Sequence, residues 1–206
     1  LSHLATEDPL TRLLNRRGMQ DALQVTLAHA ARHQHPTAAL MVDIDHFKSI
    51  NDNCGHDYGD LVLVRLAANY LRLFTGGEHL IRLGGDEFGV LLESCSLDEA
   101  MNTAETLRMA IGDYKFNWEE RVFRLGVSIG VVPITADNED VAALLSAADS
   151  ACAAAKEAGR NRIHSFQEND IDLMRRRREM QWAARINTAL EENRFELFRQ
   201  TIQPLQ

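Results

Sequence analysis

The sequence predicts an α/β or α+β sandwich in which helices cover a single sheet. Short apolar runs with the character of strands alternate with longer segments whose apolar residues recur at helical spacing. Two of the strand-like runs, 80–83 and 88–92, meet at Gly84-Gly85. Because glycine takes the positive φ that a tight hairpin turn requires, these two runs predict a β-hairpin within the sheet.

The composition limits the class of protein. The chain has 206 residues, 45% of them hydrophobic, which is enough for one good-sized domain and an appendage. A net charge of −8 disfavours a general nucleic-acid or membrane-surface binder. The three cysteines are far apart and suit neither a disulfide framework nor a zinc site, so we expect a reducing, cytoplasmic compartment. No apolar stretch approaches the ~20 residues of a membrane span, and the first residue, Leu1, suggests part of a longer protein.

The predicted elements follow in order. Residues 1–8 are expected to be an incoming linker helix, which Asp8-Pro9 ends, and Asn15 is expected to cap the next helix. The apolar run 38–42 predicts a central strand buried on both faces. The polar segment 46–60 is expected to be a loop, and loops at strand ends commonly bind ligands. Further helices are predicted from Leu61 onward, at 97–111 and at 141–156, and further strands at 122–125 and 127–132.

The C-terminal part of the sequence changes in character after the last of these helices. Cys152 lies on the apolar face of that helix and is expected in the core, and Gly159 is expected just past its end. Lys156 and Arg160 either complement the helix dipole or, if a metal site lies nearby, bind phosphate. The charged segment 167–193 predicts a protruding linker helix.

Two pairs of carboxylates stand at predicted strand ends. Asp43 and Asp45 end the buried run and point to the same face, because strand side chains alternate. Charged residues are rarely buried without a partner or a metal, so this pair indicates a cation site. The alternative, in which these residues cap the next helix, suits Asp45 better than Asp43. Asp86 and Glu87 follow the glycine pair, and taken alone they fit a cation site or a solvated turn equally well.

Several motifs in order resemble the GGDEF family of diguanylate cyclases, over about residues 5–166. A lone GGDEF pentapeptide would be weak evidence, whereas the ordered set is specific. The motifs are Asp8-Pro9-Leu10-Thr11-Arg12-Leu13 with Asn15-Arg16-Arg17, Asp43-Ile44-Asp45-His46-Phe47-Lys48, Asn51-Asp52, Gly55-His56 with Gly59-Asp60, Gly84-Gly85-Asp86-Glu87-Phe88, and Lys156 with Gly159-Arg160-Asn161.

The resemblance implies a palm-like nucleotide cyclase fold, with a mostly antiparallel sheet flanked by helices and followed by a linker helix. It also implies an enzyme that joins two GTP into cyclic di-GMP. Mg²⁺ (or Mn²⁺) would be held by Asp43, the carbonyl of Ile44 and Asp86, and Asp86 would also take the 3′-hydroxyl proton. The remaining roles would be catalytic for Glu87 and Lys48, guanine recognition for Asn51 and Asp60, nucleotide lining for Phe47 and His56, and phosphate binding for Gly84, Gly85, Lys48, Lys156 and Arg160.

The implied chemistry suits these residue types. Mg²⁺ commonly binds one or two carboxylates together with phosphate oxygens. A carboxylate accepts from the N1 and N2 hydrogens of guanine but offers adenine no donor, so Asp60 favours GTP over ATP. Because one chain holds half of a symmetric reaction, a homodimer is implied. The alternative is a silent GTP-binding module that regulates a neighbouring phosphodiesterase.

Two features depart from the simplest family pattern. Thr75 and Glu78 occupy the positions of the product-binding Arg and Asp, so we expect no strong inhibition by cyclic di-GMP through that site. Residues 194–205 resemble the opening of an EAL phosphodiesterase domain. The expected organisation is therefore a linker helix at 1–8, the cyclase domain at 9–166, a second linker helix at 167–193 and a truncated EAL domain at 194–206, with a sensor domain upstream.

Overall fold

A five-stranded sheet carries helices on both of its faces. The computed structural model describes residues 6–33, 36–73, 79–118, 121–135, 140–167, 170 and 186. In chain order the elements are α1 (Arg16–His33), β1 (Thr37–Ile44), α2 (Phe47–Cys54), α3 (His56–Leu73), β2 (His79–Gly84), β3 (Glu87–Leu92), α4 (Leu97–Gly112), β4 (Lys115–Trp118), β5 (Arg121–Arg124), β6 (Val127–Ile134), α5 (Val141–Glu157) and β7 (Arg162–Ser165).

The strand order of the sheet is β2-β3-β1-β6-β7. β1 lies at the centre and is antiparallel to both β3 and β6, and β7 is parallel to β6. All eight residues of β1 are buried, which confirms the predicted central strand and the mostly antiparallel sheet. β4 and β5 form a separate two-stranded hairpin.

β1 divides its side chains between two hydrophobic layers. Leu40 and Val42 belong to the layer that contains the apolar faces of α3 and α4. Ala39 and Met41 belong to the layer built from α1 and α5. Because strand side chains alternate, Asp43 follows Met41 toward the face covered by α5.

Helix α5 approaches β6 very closely at Gly130. A Cβ at this position would lie 2.4 Å from the backbone nitrogen of Cys152 and 2.6 Å from the carbonyl oxygen of Ala148, so the position requires glycine. The Cys152 thiol donates to the carbonyl oxygen of Ser128 at 3.3 Å, and burial raises its pKa to about 12. Cys152 is therefore a core residue, as predicted, and Lys156 lies one helical turn further along α5.

The segment 46–60 corrects the sequence prediction. The sequence predicts a loop here, yet the segment forms α2 and the start of α3, which begins at His56 rather than at Leu61. The two helices are separated at Gly55, whose φ is 88°. Phe47 and Ile50 are buried and anchor α2 to the core. The prediction failed because the other face of this short helix is polar.

Smaller differences concern the ends of the domain. Residues 6–8 form a turn and a β-bridge instead of a helix, because Glu7 pairs with Leu14 and the Asp8 carboxylate accepts from the Thr11 backbone. The predicted cap of α1 is confirmed, since the side-chain oxygen of Asn15 accepts from the backbone of Gly18 at 3.0 Å. Strands β4 and β7 were not predicted; each has four residues.

The chain divides into two units, residues 1–170 and residues 171–206. The predicted linker helix at 167–193 and the segment 194–206 lie largely outside the described residues. Asp170 is helical in the first unit, and Ile186 is helical and exposed in the second. Over the ranges that the structure describes, no helix is both long and apolar enough to cross a bilayer.

Candidate active site

The hairpin of β2 and β3 places its acidic residues beside the end of β1. The turn consists of Gly85 and Asp86, and Glu87 is the first residue of β3. The backbone N–H of Ile44 donates to the carbonyl oxygen of Asp86 at 3.3 Å. Asp43 and Glu87 are directly opposite each other in the antiparallel ladder. The carboxylates predicted at two separate strand ends are thus neighbours on adjacent strands.

Asp43 is ion-paired with Lys156 at the end of α5. The ammonium nitrogen lies 2.6 Å from Oδ2 of Asp43, whose side chain is 10% exposed, against 35% for that of Lys156. Burial raises the pKa of Asp43 to about 6; the ammonium opposes this shift, and the nearby charges of Asp86 and Glu87 add to it. Burial lowers the pKa of Lys156, but the hydrogen bond and charge of Asp43 outweigh this, so its pKa is raised. The pair is charged at neutral pH.

These groups fit a divalent cation. The carboxylate of Asp43 is desolvated and is repelled by two other carboxylates, and an ammonium is its counter-ion in this structure. A divalent cation bound to these carboxylates would balance their negative charge. Among the described residues, no three His, Cys, Asp or Glu side chains form a ready metal cage. Mg²⁺ commonly binds one or two carboxylates together with phosphate oxygens and water, so the carboxylates of Asp43 and Asp86 suit it chemically.

The turn of the hairpin is fixed by Arg82, a role that the sequence did not reveal. Its guanidinium donates to the carbonyl oxygen of Gly85 through Nη2 at 2.9 Å and Nε at 3.2 Å. Nη1 lies 3.1 Å from Oδ1 of Asp8, which also accepts from the backbone and hydroxyl of Thr11. Residues near the start of the chain therefore hold the turn that carries Asp86.

Asp45 ties three segments together at the end of β1. It is buried, and its carboxylate accepts from the hydroxyl of Ser128 at 2.7 Å and from the backbone N–H of Asn161 at 2.9 Å. The alternative that it caps α2 is wrong, because the N-cap residue is His46 and no side chain caps that helix. Asp45 instead fixes the turn after α5, where Arg160 has a φ of 61°.

The residues predicted to contact the nucleotide are spread over α2, α3 and the turn after α5. Lys48, His56, Asp60 and Arg160 are exposed, and Asn51 is half-buried. Phe47 is 6% exposed and packs in the hydrophobic core, a position that favours a structural role. The structure therefore brings together Asp43, Ile44, Asp86, Glu87 and Lys156. That the other predicted residues bind the nucleotide stays a prediction.

A cavity of about 420 Å³ lies beside the start of α3. The rings of Tyr58 and Trp118 form one wall, with centroids 4.4 Å apart, and the Tyr58 hydroxyl donates to the carbonyl oxygen of Asn117 at 2.9 Å. The cavity is lined by Cys54, Gly55, His56, Asp57, Tyr58, Leu61 and Trp118. His56, which the resemblance assigns to the nucleotide site, thus lines this cavity.

Comparison with known sequences identifies similar proteins. Residues 5–162 match the family described as diguanylate cyclase, GGDEF domain. The chain is 39% identical over 167 residues to the probable diguanylate cyclase DgcE of Escherichia coli, which covers 81% of this chain and 15% of that protein. It is 35% identical over 208 residues to the cyclic di-GMP phosphodiesterase PdeB of Shewanella oneidensis, an alignment that covers 100% of this chain and 24% of that protein. For the E. coli diguanylate cyclase DosC the identity is 35% over 168 residues, covering 80% and 36%. The chain thus spans well under half the length of these curated relatives.

Solved structures share the fold. The GGDEF domain of the Pseudomonas aeruginosa protein called TpbB or YfiN has a TM-score of 0.76 and 32% identity, covering 82% of this chain and 99% of that one. The coiled coil and GGDEF domain of DgcB from Caulobacter crescentus, solved in complex with c-di-GMP, has a TM-score of 0.74 and 28% identity, covering 80% and 87%.

Proposed function

The chain belongs to the GGDEF family of diguanylate cyclases, and on that premise we propose that it is a catalytically competent cyclase module that joins two GTP into cyclic di-GMP and releases two pyrophosphates. One observation carries the proposal. The buried carboxylate of Asp43 lies opposite Glu87, next to the turn that holds Asp86, and is balanced by a lysine ammonium. Desolvated carboxylates held next to one another suit a site that binds a divalent cation and phosphate.

The acidic cluster supplies the metal ligands and the base. Asp43, the carbonyl of Ile44 and Asp86 would hold Mg²⁺ or Mn²⁺, which supplies positive charge for the triphosphate. Asp86, at the tip of the hairpin and with Glu87 beside it, takes the proton of the 3′-hydroxyl group. The ammonium of Lys156, which pairs with Asp43 here, would be free to bind a phosphate oxygen if a cation took its place.

The surrounding residues position the substrate. Asn51 and Asp60 bind the guanine edge, and the carboxylate of Asp60 accepts from N1–H and N2–H. Positioning and charge stabilisation account for most of the catalysis of phosphoryl and nucleotidyl transfer. The phosphates are bound by Lys48, Lys156, Arg160 and the backbone at Gly84 and Gly85. His56 lines the nucleotide. Phe47 supports the site indirectly, because its buried ring packs α2 against the hydrophobic core.

The reaction requires two copies of the site. The 3′-oxygen of one GTP bonds to the α-phosphorus of the other, the α–β phosphoanhydride bond breaks, and pyrophosphate leaves with the electron pair. The same step in the opposite direction closes the ring. A homodimer that brings two sites face to face is therefore part of the proposal.

Incubation of the chain with GTP and Mg²⁺, followed by chromatography and mass spectrometry, tests this function. We expect cyclic di-GMP and two equivalents of pyrophosphate, and no product from Asp86→Ala. GTP that binds and is never converted, even at high protein concentration, would contradict the proposal.

A second candidate function has support from one comparison. PdeB, a cyclic di-GMP phosphodiesterase, aligns with the whole chain rather than with the cyclase domain alone. We propose with it the organisation in which residues 9–166 form the cyclase domain, 1–8 and 167–193 form linkers, and 194–206 begin an EAL domain, with a sensor upstream; the alignment supports only that the likeness to a phosphodiesterase continues past residue 166. In a silent module of this kind, GTP would bind and change the phosphodiesterase rate of the longer protein without being consumed.

A further inference from the structure

Gly59 is a helical glycine that the backbone does not require. It lies near the start of α3, and its N–H donates to the carbonyl oxygen of Gly55 at 3.2 Å, as in any helix. Its φ is not among the positive values found for described residues. Because glycine destabilises a helix relative to alanine, its presence here needs a reason in the surroundings.

The reason is the side chain of Asn51, on the neighbouring helix α2. A Cβ at position 59 would lie 1.9 Å from Oδ1 and 3.0 Å from Cγ of Asn51, and 3.2 Å from Cζ of Phe47. Real Cβ atoms do not approach other atoms at less than 3.0 Å. Any other residue at position 59 would force the amide of Asn51 to move, and the buried ring of Phe47 restricts where it could go.

The space at Gly59 determines how Asn51 is oriented. Its Oδ1 is buried and, within the described part of the chain, no donor reaches it. The residue as a whole is only half-buried, and of its two amide atoms only Oδ1 is buried without a partner, which leaves the NH₂ group to face outward. Burial of an acceptor without a donor is unfavourable. The structure thus contains both an unsatisfied buried oxygen and a helical glycine, and together they leave the NH₂ group of Asn51 facing outward as a hydrogen-bond donor.

We propose that Gly59 is a positioning residue that determines base specificity: it accommodates the amide oxygen of Asn51 and so presents the amide NH₂ to guanine. Guanine carries N1–H and N2–H donors flanked by the acceptors O6 and N3. Asp60, adjacent to Gly59, accepts from those donors, and Asn51 donates to the acceptor beside them. Adenine places an acceptor, N1, where Asp60 needs a donor. This inference rests on the proposed function, because it assumes that GTP binds here.

Gly59→Ala tests the proposal, and Gly112→Ala is its matched control. Gly112 is also a helical glycine, but a Cβ there meets nothing within 4 Å. Affinities for a non-hydrolysable GTP analogue and for the matching ATP analogue are measured by calorimetry with Mg²⁺. We expect Gly59→Ala to weaken the GTP analogue about tenfold, the value of one lost hydrogen bond, and to change the ATP analogue less than twofold. Gly112→Ala should change neither. Equal losses for both nucleotides would overturn the proposal.

A double-mutant cycle with Asn51→Ala shows whether Gly59 acts through Asn51. In the Asn51→Ala background, Gly59→Ala should cause no further loss of GTP affinity and should stabilise the chain against urea, as Gly112→Ala does. Additive losses would overturn the proposal. If Gly59→Ala alone fails to fold, folding of the double variant supports the contact and its failure overturns it.

The same experiments separate this inference from the proposed function. If the wild-type chain binds no GTP analogue, the proposed function and the role of Gly59 in guanine recognition both fail. The double-mutant cycle measured by urea unfolding then reports only on the packing of Gly59 against Asn51. If GTP binds normally and Gly59→Ala leaves the GTP-to-ATP ratio unchanged, only the present inference fails.

Discussion

Replacing Lys156 by methionine removes the ammonium that balances Asp43 and keeps a side chain of similar shape. In a fully buried ion pair, loss of one partner costs about 3–5 kcal/mol, because the other charge remains buried and unpaired. In a fully exposed pair the cost is about 0–1 kcal/mol. Asp43 is 10% exposed and Lys156 is 35% exposed, so this pair lies between the two limits. We expect Lys156→Met to lower the free energy of unfolding by about 2 kcal/mol.

Urea unfolding of the chain in EDTA measures this loss. With an m value of about 2 kcal/mol per molar urea, the midpoint should fall by about 1 M. Adding Asp43→Asn to Lys156→Met should restore most of the loss, because no charge then remains unpaired. Arg160→Met removes a nearby exposed cation and serves as the control, with an expected change below about 0.5 kcal/mol.

Two results would refute the reasoning. An unchanged midpoint for Lys156→Met would show that water or another group solvates Asp43 as well as the ammonium does. A double variant no more stable than Lys156→Met alone would show that the loss has nothing to do with Asp43. Mg²⁺ should raise the midpoint of Lys156→Met more than that of the wild-type chain, since the cation takes over the vacated role.

Three further predictions concern other residues. Burial raises the pKa of Asp8, but hydrogen bonds and the charge of Arg82 outweigh this and hold the pKa below its ordinary value. The stability that Asp8→Asn removes, about 1.5–3 kcal/mol, is therefore fully present above pH ~4 and declines as the pH falls further, so a difference in urea midpoint that does not narrow between about pH 5 and about pH 3 would contradict this. Asp45→Ala leaves the Ser128 hydroxyl and the Asn161 N–H without their acceptor, so the free energy of unfolding should fall by about 2–3 kcal/mol and the Asn161 amide should exchange its hydrogen faster. An unchanged exchange rate would contradict the role of Asp45 in holding this turn. Thr75 and Glu78 lie outside the described residues, and the absence of arginine there predicts no inhibition by submicromolar cyclic di-GMP in the activity assay.

The parts of the fold that the sequence predicted are those with a strong local pattern. The apolar run before Asp43 predicted a buried strand, the glycine pair between two apolar runs predicted a hairpin, and both predictions are confirmed. The rule that buried charge needs a partner predicted a metal-ion site at Asp43, and that site stays a prediction; what the structure shows is the carboxylate paired with the ammonium of Lys156. Local periodicity was sufficient for the strand and the hairpin.

The parts that were missed depend on contacts between distant segments. Helix α2 buries Phe47 and Ile50 and leaves its other face polar, so its sequence looks like a loop. Strand β7 has four residues and becomes a strand only because α5 returns the chain to the edge of β6. Nothing next to Arg82 in the sequence indicates that it bridges Asp8 and the hairpin turn. Such partners are chosen by the tertiary fold, and a single sequence does not reveal them.

The position of β1 between β3 and β6 has a consequence for how the protein matures during synthesis. A ribosome releases β1 and the hairpin well before β6 and α5, so the carboxylates of Asp43, Asp86 and Glu87 can meet before their counter-ion exists. Long-range strand pairing is also the slow part of folding. Only when β6 inserts beside β1 and α5 closes over it does Lys156 reach Asp43. The acidic cluster is therefore balanced only after α5 has docked, and a chain that stops before α5 carries the signature motif without the ammonium that balances Asp43.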